Sequence, residues 1–330
     1  MFRILVDSGA NLPAESAEQY GIEVLSFVNY VEGKNVTCYV PGLTPEEERA
    51  RGKEFYDSMR NGLTVKTGLI SIGEFAEAFR KVAAAGEDVL CLTISSGISG
   101  TFNSCRIARD MVAEEFPERR IRVIDTKNAS LATGILAIYA AELREQGKDV
   151  DEVTDTIEKR VPMMNGIFTV ADLKYLCRTG RISKTSALIG NTLSIRPILR
   201  GDKDGHIVQY RKCHGRRSAL NALISLVCDN VVNPEEQILG IAHADAYEES
   251  LYIMERIIER IKVRGFINTT YDTCTGSHVG PDTIALFFVG RDRELTGALS
   301  GVGRSILNRT GEKLDRILSP EHVTMQKNIQ

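Results

Sequence analysis

The first half of this chain alternates short β-type segments with amphipathic helical segments, and this alternation restricts the available folds more than any other feature. The segment "DVLCLTI" (88–94) is apolar and lies between two segments with helical periodicity. In the earlier of these, "SIGEFAEAFRKVAAAG" (71–86), apolar side chains recur at helical spacing before a terminal glycine. Strands and helices in this order predict βαβ units and a mostly parallel sheet.

Hydroxyl-bearing turns follow predicted strands in this half: "DS" at 7–8, "SSGISGT" at 95–101 and "DT" at 125–126. Ligands of parallel sheets bind beyond the carboxyl ends of the strands, so we expect these turns to gather at one edge. The 95–101 turn suits an anion held by hydroxyls and backbone amides, and it equally suits ordinary turn and capping residues. It lacks the G-x-S-x-G pattern of a serine nucleophile.

The second half has a different pattern and predicts a second α/β domain with a mixed sheet. We expect the boundary within 147–165, which gives an N-terminal α/β domain at 1–160 and a C-terminal α/β domain at 161–330. An amphipathic segment predicts an extra C-terminal helical extension from about residue 291. Strand candidates are 166–170, 194–200, 205–213, 237–244, 265–273 and 283–290, and long helices are predicted at 215–231 and 246–263.

Composition argues against several classes of function. A net charge of −3 provides no basic footprint for nucleic acid. The longest mostly apolar segment, 129–143, is too short to span a bilayer, and the N-terminus lacks the pattern of a signal peptide. Seven cysteines without C-x-x-C spacing favour reduced thiols in a cytoplasmic protein over disulfides or structural zinc. The five histidines lack metal-binding spacing, so no metal site is predicted.

Some polar residues near glycines are candidates for binding, although each also has a structural explanation. Thr67 precedes a helix that Ser71 is expected to cap. Arg178 and Arg181 flank a glycine at a predicted helix end, where basic residues are common, but an arginine also suits a carboxylate or phosphate. His278 is predicted to lie in a loop between two strands, where it could donate a hydrogen bond to an anion.

Seven short motifs occur in the same order as in one known family. They are "VDSGANLP" (6–13, family DSxxDLP), "KTGLIS" (66–71, TSQPS), "ISSGISGTFNS" (94–104, SSGLSGTYQSA), "VIDT" (123–126, VxDS), "DLKYLCRTGRIS" (172–183, LxYLxxGGRI), "IRPILRGDKDGHI" (195–207, xKPILxxxDGxI) and "GSHVGPD" (276–282, GxHxGPG). Each motif is weak alone. The ordered set, over roughly residues 3–290, resembles the DegV family of fatty-acid-binding proteins, which includes the FakB subunits of bacterial fatty acid kinase.

The resemblance implies a two-domain α/β fold with a lipid tunnel between the domains. It implies a lipid-binding protein with no catalytic residue, no metal and no cofactor other than the bound fatty acid. The carboxylate of one long-chain fatty acid would meet Thr67, Ser95 or its neighbour Ser96, and His278, with Arg181 as a basic residue near the head group. An ATP-dependent kinase subunit would phosphorylate the bound fatty acid for phospholipid synthesis, and transient contact with a membrane surface is compatible with this role.

The chain departs from the family pattern at positions that bear on function. Leu69 and Ile70 replace Gln-Pro, Thr179 replaces a glycine, Asp282 replaces a final glycine, and His214 stands where many members have arginine. The last change puts compatibility with a kinase partner in question. Two other functions stay open: a serine-dependent enzyme for an acyl or phosphorylated substrate, acting through Ser95 or Ser96, and a lipid-responsive regulatory protein. The sequence leaves the length of the fatty acid and the oligomeric state unspecified.

Overall fold

A computed structural model describes residues 1–31, 33–182 and 195–293 of the chain. All of them fall within the unit Met1–Arg293. The predicted α/β class is confirmed, since these residues form one parallel and one mixed sheet. The boundary near residue 160 stays a prediction, and the predicted extension from about 291 lies almost wholly outside the described residues.

The described strands and helices are numbered in chain order. The strands are β1 (Phe2–Asp7), β2 (Ile22–Leu25), β3 (Val28–Val31), β4 (Lys34–Thr37), β5 (Lys66–Gly68), β6 (Asp88–Thr93), β7 (Ile121–Asp125), β8 (Met164–Thr169), β9 (Ile195–Gly201), β10 (Ile207–His214), β11 (Ile238–His243), β12 (Gly265–Thr270) and β13 (Ile284–Val289). The helices are α1 (Ala14–Gln19), α2 (Pro45–Arg60), α3 (Ile72–Ala84), α4 (Thr101–Glu115), α5 (Leu131–Glu145), α6 (Val150–Arg160), α7 (Lys174–Arg178), α8 (Arg216–Asn230), α9 (Tyr247–Ile258) and α10 (Thr273–Val279).

The N-terminal sheet has the strand order β2-β1-β6-β7, and every neighbouring pair is parallel. Its apolar central strands are buried, as expected for a parallel sheet covered on both faces. Thr44 precedes a proline and three glutamates, a sequence that predicts a helix cap, and Ser71 is the expected cap of α3; both helices begin there. The Thr44 and Ser71 side chains each accept a hydrogen bond from the backbone three residues later, where a glutamate returns the bond.

The second large sheet has the order β10-β9-β8-β13-β11-β12. Only the β11–β12 pair is parallel, so the predicted mixed sheet is confirmed. No described helix is long and apolar enough to cross a membrane.

A small third sheet, β4-β3-β5, was not expected from the sequence. The β-type segment "GIEVLSFVNYV" (21–31) predicts one strand, but it divides into β2 and β3. The chain leaves the parallel sheet at Ser26, whose hydroxyl accepts hydrogen bonds from the backbone amides of Cys38 and Tyr39. This separation matters for function because it moves β3, and with it the paired strand β5, away from the parallel sheet.

Helix α5 is buried from Leu131 to Ala141 and packs on strands of both large sheets. The sequence predicts a helix from about Asn128, but α5 begins only at Leu131, because Lys127 and Ser130 have left-handed φ values of 50° and 57°. Close packing requires a glycine within the helix. A Cβ atom on Gly134 would lie 2.9 Å from the carbonyl oxygen of Ala10.

Replacing Gly134 with alanine should therefore destabilise the protein, by about 1–3 kcal/mol as is typical of overpacked cores. Gly73→Ala is the matched control, since Gly73 is an exposed helical glycine with no atom closer than 3.9 Å to the added Cβ. Helix propensity alone predicts that this control is neutral or more stable. Urea unfolding measures both variants, and equal stability of Gly134→Ala and wild type would contradict the packing of α5.

Candidate functional site

A cavity of about 200 Å³ lies beside the N-terminal end of α5 and is lined by residues from or next to strands of both large sheets. Most of its wall is apolar. The apolar lining residues are Phe27, Leu69, Ile94, Ile98, Ala129, Phe168, Leu176, Ile207, Val279 and Phe287. A largely apolar cavity with a few convergent polar groups is the usual form of a small-molecule site.

Thr67 and His278 meet at the cavity wall although they are far apart in the sequence. The Thr67 Oγ1 atom lies 3.1 Å from Nε2 of His278. Thr67 is in β5, where it pairs with Asn29 of the neighbouring strand β3. The small third sheet thus places the threonine against the helix that carries the histidine.

His278 lies in a helix, so the prediction that it lies in a loop is wrong. Helix α10 begins at Asp272, whose side chain accepts hydrogen bonds from the backbone amides of Cys274 and Thr275. Gly276 lets the helix approach α2 closely, since a Cβ atom there would lie 2.1 Å from the hydroxyl oxygen of Tyr56. That cap and close contact fix the position of the imidazole.

The imidazole of His278 is neutral at neutral pH. Burial and, to a smaller extent, the positive charges of Arg181 and Arg178 together lower the pKa of His278 to about 4. The Nδ1 atom is buried and has no hydrogen-bond partner among the described residues. A buried polar atom without a partner is costly, which favours a ligand group that supplies the missing hydrogen bond.

Arg181 contributes a positive charge to the cavity wall. Its guanidinium donates hydrogen bonds to the backbone carbonyls of Ile98 and Thr179. Within the described part of the chain it forms no salt bridge with a carboxylate. Burial lowers the pKa of Arg181, but an arginine remains charged in proteins. The cavity therefore combines an apolar wall with a cation that an anionic ligand would neutralise.

Ser95 and Ser96 do not line this cavity, unlike Thr67, Arg181 and His278. The Ser95 hydroxyl is buried, donates to the carbonyl of Gly205 at 3.0 Å and accepts from the amide of Gly97 at 3.0 Å. The Ser96 hydroxyl accepts from the Lys127 ammonium at 2.8 Å. A ligand role for either serine would require exchange of these bonds, and it stays a prediction.

The turns at the strand ends do gather at one edge, but their side chains mainly join the strands to each other. The Asp7 carboxylate accepts from the amide of Ile94 at 2.8 Å, and the hydroxyl of Thr126 donates to the carbonyl of Thr93 at 2.8 Å. Burial raises the pKa of Asp7 to about 7. These side chains hold the strand ends that form one wall of the cavity.

Two polar residues near the site were missed by sequence reasoning. Ser99 lines the cavity, whereas its neighbours Ser95 and Ser96 do not. Asn29, the cross-strand neighbour of Thr67, is 1% exposed, and neither polar atom of its amide has a partner among the described residues. The sequence could have indicated Ser99, because it belongs to the "SSGISGT" turn. Asn29 could not be identified from the sequence, because only the pairing of β3 with β5 places it near Thr67.

Comparisons with known proteins agree with the fold. The profile of the DegV family, described as uncharacterised proteins, matches residues 1–291. A DegV domain-containing protein of Clostridium perfringens is 34% identical over 293 residues, which cover 89% of this chain and 99% of that protein.

Solved structures are similar over the same region. A DegV lipid-binding protein from Thermotoga maritima is 30% identical with a TM-score of 0.74, covering 89% of this chain and 100% of that chain. The fatty-acid-binding DegV protein of Bacillus subtilis is 26% identical with a TM-score of 0.72, covering 87% of this chain and 98% of that chain.

The charge of Arg181 should be measurable at His278. Removing a positive charge favours the protonated imidazole, so Arg181→Gln should raise the pKa of His278 above its value of about 4. Burial persists in this variant and should keep the pKa below the ordinary value. Arg178→Gln is the matched control and should produce a smaller rise. NMR titration of the imidazole resonances measures the pKa of His278 in both variants. An unchanged pKa in Arg181→Gln would show that the Arg181 charge does not act on the His278 imidazole.

Proposed function

The chain belongs to the DegV family, and we propose that it binds one long-chain fatty acid in this cavity, with the carboxylate at Thr67, His278 and Arg181. The observation that carries the proposal is the meeting of an apolar wall with the Thr67–His278 pair and the Arg181 cation. Relatives in Thermotoga maritima and Bacillus subtilis that bind lipid or fatty acid support it.

The apolar wall accounts for most of the expected affinity. Each methylene group removed from water contributes about 0.8 kcal/mol, so a long alkyl chain binds mainly through burial. Phe168 of β8 and Phe287 of β13 line the cavity from neighbouring strands of the mixed sheet. These side chains offer contact area without any polar group that would need a partner.

The polar residues account for selectivity toward an acid. A buried carboxylate is unfavourable unless hydrogen-bond donors and a positive charge compensate for lost water. In one tautomer of the neutral His278, Nε2–H donates to the Thr67 oxygen and the Thr67 hydroxyl donates to the carboxylate. In the other tautomer, the Thr67 hydroxyl donates to Nε2 and the protonated Nδ1 donates to the carboxylate. The pair therefore offers one hydrogen-bond donor, and Arg181 supplies the charge.

The geometry favours binding over a serine-dependent reaction. An activated serine needs a base within hydrogen-bond reach. Among the described residues, neither Ser95 nor Ser96 is hydrogen-bonded to a histidine. The Lys127 ammonium that donates to Ser96 also forms a salt bridge with Asp125, and neither serine lines the cavity. We therefore propose a non-catalytic role for the isolated chain.

Thr67→Val should weaken fatty-acid binding while keeping the shape of the side chain. Loss of a hydrogen bond to a charged group is worth about 1.5–3 kcal/mol, or roughly 10- to 150-fold in affinity. Arg181→Gln should weaken binding at least as much. Isothermal titration calorimetry with palmitate measures both variants, with folding checked by thermal unfolding.

Two comparisons make this test specific for the head group. Hexadecanol, which has the same number of carbons but no charge, should bind wild type more weakly than palmitate and be insensitive to Arg181→Gln. Ser96→Ala should leave affinity unchanged, and Ser95→Ala should mainly lower stability because Ser95 joins two turns. Equal affinity of wild type for the acid and the alcohol would refute the proposed head-group site.

We also propose that the bound fatty acid is presented to an ATP-dependent fatty acid kinase subunit in the cytoplasm, for phosphorylation and use in phospholipid synthesis. The family resemblance supports this role. Transfer of a phosphoryl group to a carboxylate brings two anions together, and a guanidinium such as that of Arg181 offsets their repulsion. Leu69 lines the cavity and is 49% exposed, which is compatible with transient loading from a membrane surface.

The isolated chain should form no acyl phosphate from ATP and fatty acid, whereas addition of the kinase subunit should give acyl phosphate. Arg181→Gln should lower the rate even at saturating fatty acid. His214→Arg, which restores the common family residue, should maintain or raise the rate with kinase subunits of relatives. Radiolabelled phosphoryl transfer is the measurement. Full activity of the isolated chain would exclude a carrier that depends on a partner.

A further inference from the structure

A second cavity of about 60 Å³ lies next to the N-terminus of α10 and is lined largely by polar residues. Asn11, Cys38, Asp272 and Thr273 are among them. Asn11 and Thr273 are 5% and 8% exposed, and their Oδ1 and Oγ1 atoms have no hydrogen-bond partner among the described residues. Buried oxygens without partners in a small polar cavity indicate that a bound species completes the site.

Two thiols and a carboxylate come together at this place. One ligand atom each of Cys38, Asp272 and Cys274 lies within 4.8 Å of the others. Cys38 follows β4 and is 6% exposed, and Cys274 lies in the first turn of α10 and is also 6% exposed. Cys274 additionally lines the large cavity, so the cluster lies at the partition between the two cavities.

We propose that Cys38, Asp272 and Cys274 bind a Zn²⁺ ion. The sequence argued against zinc because the cysteines lack C-x-x-C spacing, but the third sheet and α10 bring two distant cysteines together. A tetrahedral zinc ion with Zn–S bonds of about 2.3 Å holds its ligand atoms about 3.8 Å apart. The three donor atoms lie within 4.8 Å of one another, so each pair needs to approach by at most about 1 to 1.3 Å.

The donor set selects zinc over the common hard cations. Thiolates suit zinc and other soft or borderline ions, whereas Ca²⁺ and Mg²⁺ require oxygen ligands. Within the described residues, Asp272 has no lysine or arginine partner in a salt bridge, and its carboxylate is compensated by hydrogen bonds alone, so a cation there would not compete with another positive side chain. The two thiols lose their protons to solvent as the ion binds.

Asn11 is placed to complete the coordination. Its amide nitrogen donates to Oδ2 of Asp272, and its Oδ1 has no partner among the described residues. The same Oδ2 atom also accepts from the Thr275 hydroxyl at 2.7 Å. An ion bound at Oδ2 replaces the Asn11 amide donor beside that bond, and a flip of the amide then presents Oδ1 to the ion. The other Asp272 oxygen keeps its hydrogen bonds from the backbone amides of Cys274 and Thr275, so the cap of α10 survives.

The ion would join the two elements that carry the proposed head-group residues. Cys38 is attached to the third sheet through β4, and that sheet contains Thr67 in β5. Cys274 belongs to the same short helix as His278. Zinc would therefore hold Thr67 and His278 at their observed distance before any ligand enters the large cavity.

The test uses the full chain, reduced and stripped of metal, with Co²⁺ as the spectroscopic probe. Wild type should show thiolate-to-cobalt charge-transfer absorption, which Zn²⁺ abolishes by displacement. Cys38→Ser and Cys274→Ser should each reduce this absorption, because one thiolate remains, and weaken zinc binding by at least about 100-fold. The double variant should lose the absorption. Asn11→Ala should keep the absorption with weaker binding. These readouts do not involve fatty acid, so failure of the zinc site leaves the proposed function standing.

Two control variants and a thiol count make the outcome decisive. Cys105→Ser removes a buried cysteine outside the cluster and should leave zinc affinity unchanged. Asp202→Asn disrupts the other group of metal-capable residues in the described chain, Asp202, Asp204 and His206, and should leave the charge-transfer band intact. Thiol titration in denaturant should detect all seven cysteines in the sample. Cobalt binding without thiolate absorption, or absorption that persists in the Cys38→Ser/Cys274→Ser double variant, would overturn the proposal.

Discussion

The burial of α5 is the constraint on which the rest of the structure depends. Leu131–Ala141 has no charged side chain and is buried throughout, so both large sheets must cover it. The chain before the helix has left-handed φ values at Lys127 and Ser130, and both residues line the large cavity. A strained backbone conformation persists only where the surrounding structure enforces it, and such residues are often found at functional sites. The cavity thus lies beside the start of one apolar helix that packs on both large sheets.

The hydroxyl groups that suggest a binding site in the sequence have two different structural roles: some support the wall of the cavity, and one lies at the wall itself. Ser95 and Thr126 hydrogen-bond to backbone carbonyls of neighbouring turns and strands, so they support the wall of the cavity. Thr67 comes from the small third sheet and meets His278 at the wall itself. A serine-rich turn is therefore weak evidence for a ligand contact, because the backbone of a tight turn competes for the same hydroxyls.

Helix α10 links the proposed fatty-acid site and the proposed zinc site. The helix has only seven residues, so its position depends on the Asp272 cap and on the contact of Gly276 with Tyr56 rather than on helix propensity. His278 lies near its end and Cys274 in its first turn. A change at the cap of such a short helix moves the imidazole, so these sites are expected to influence each other mechanically.

The amino-acid sequence by itself determined the α/β class, the parallel and mixed sheets, the caps of α2 and α3, and the residues Thr67, Arg181 and His278 as candidates. Periodicity and capping are local properties, so they can be read from neighbouring residues. Tertiary structure alone decided that segment 21–31 divides, that His278 lies in a helix, and that the Ser95 hydroxyl bonds to Gly205 while Cys38 meets Cys274. These outcomes depend on contacts between segments that can lie more than 200 residues apart in the chain. The spacing of neighbouring residues in the sequence does not indicate which distant residue a side chain will contact.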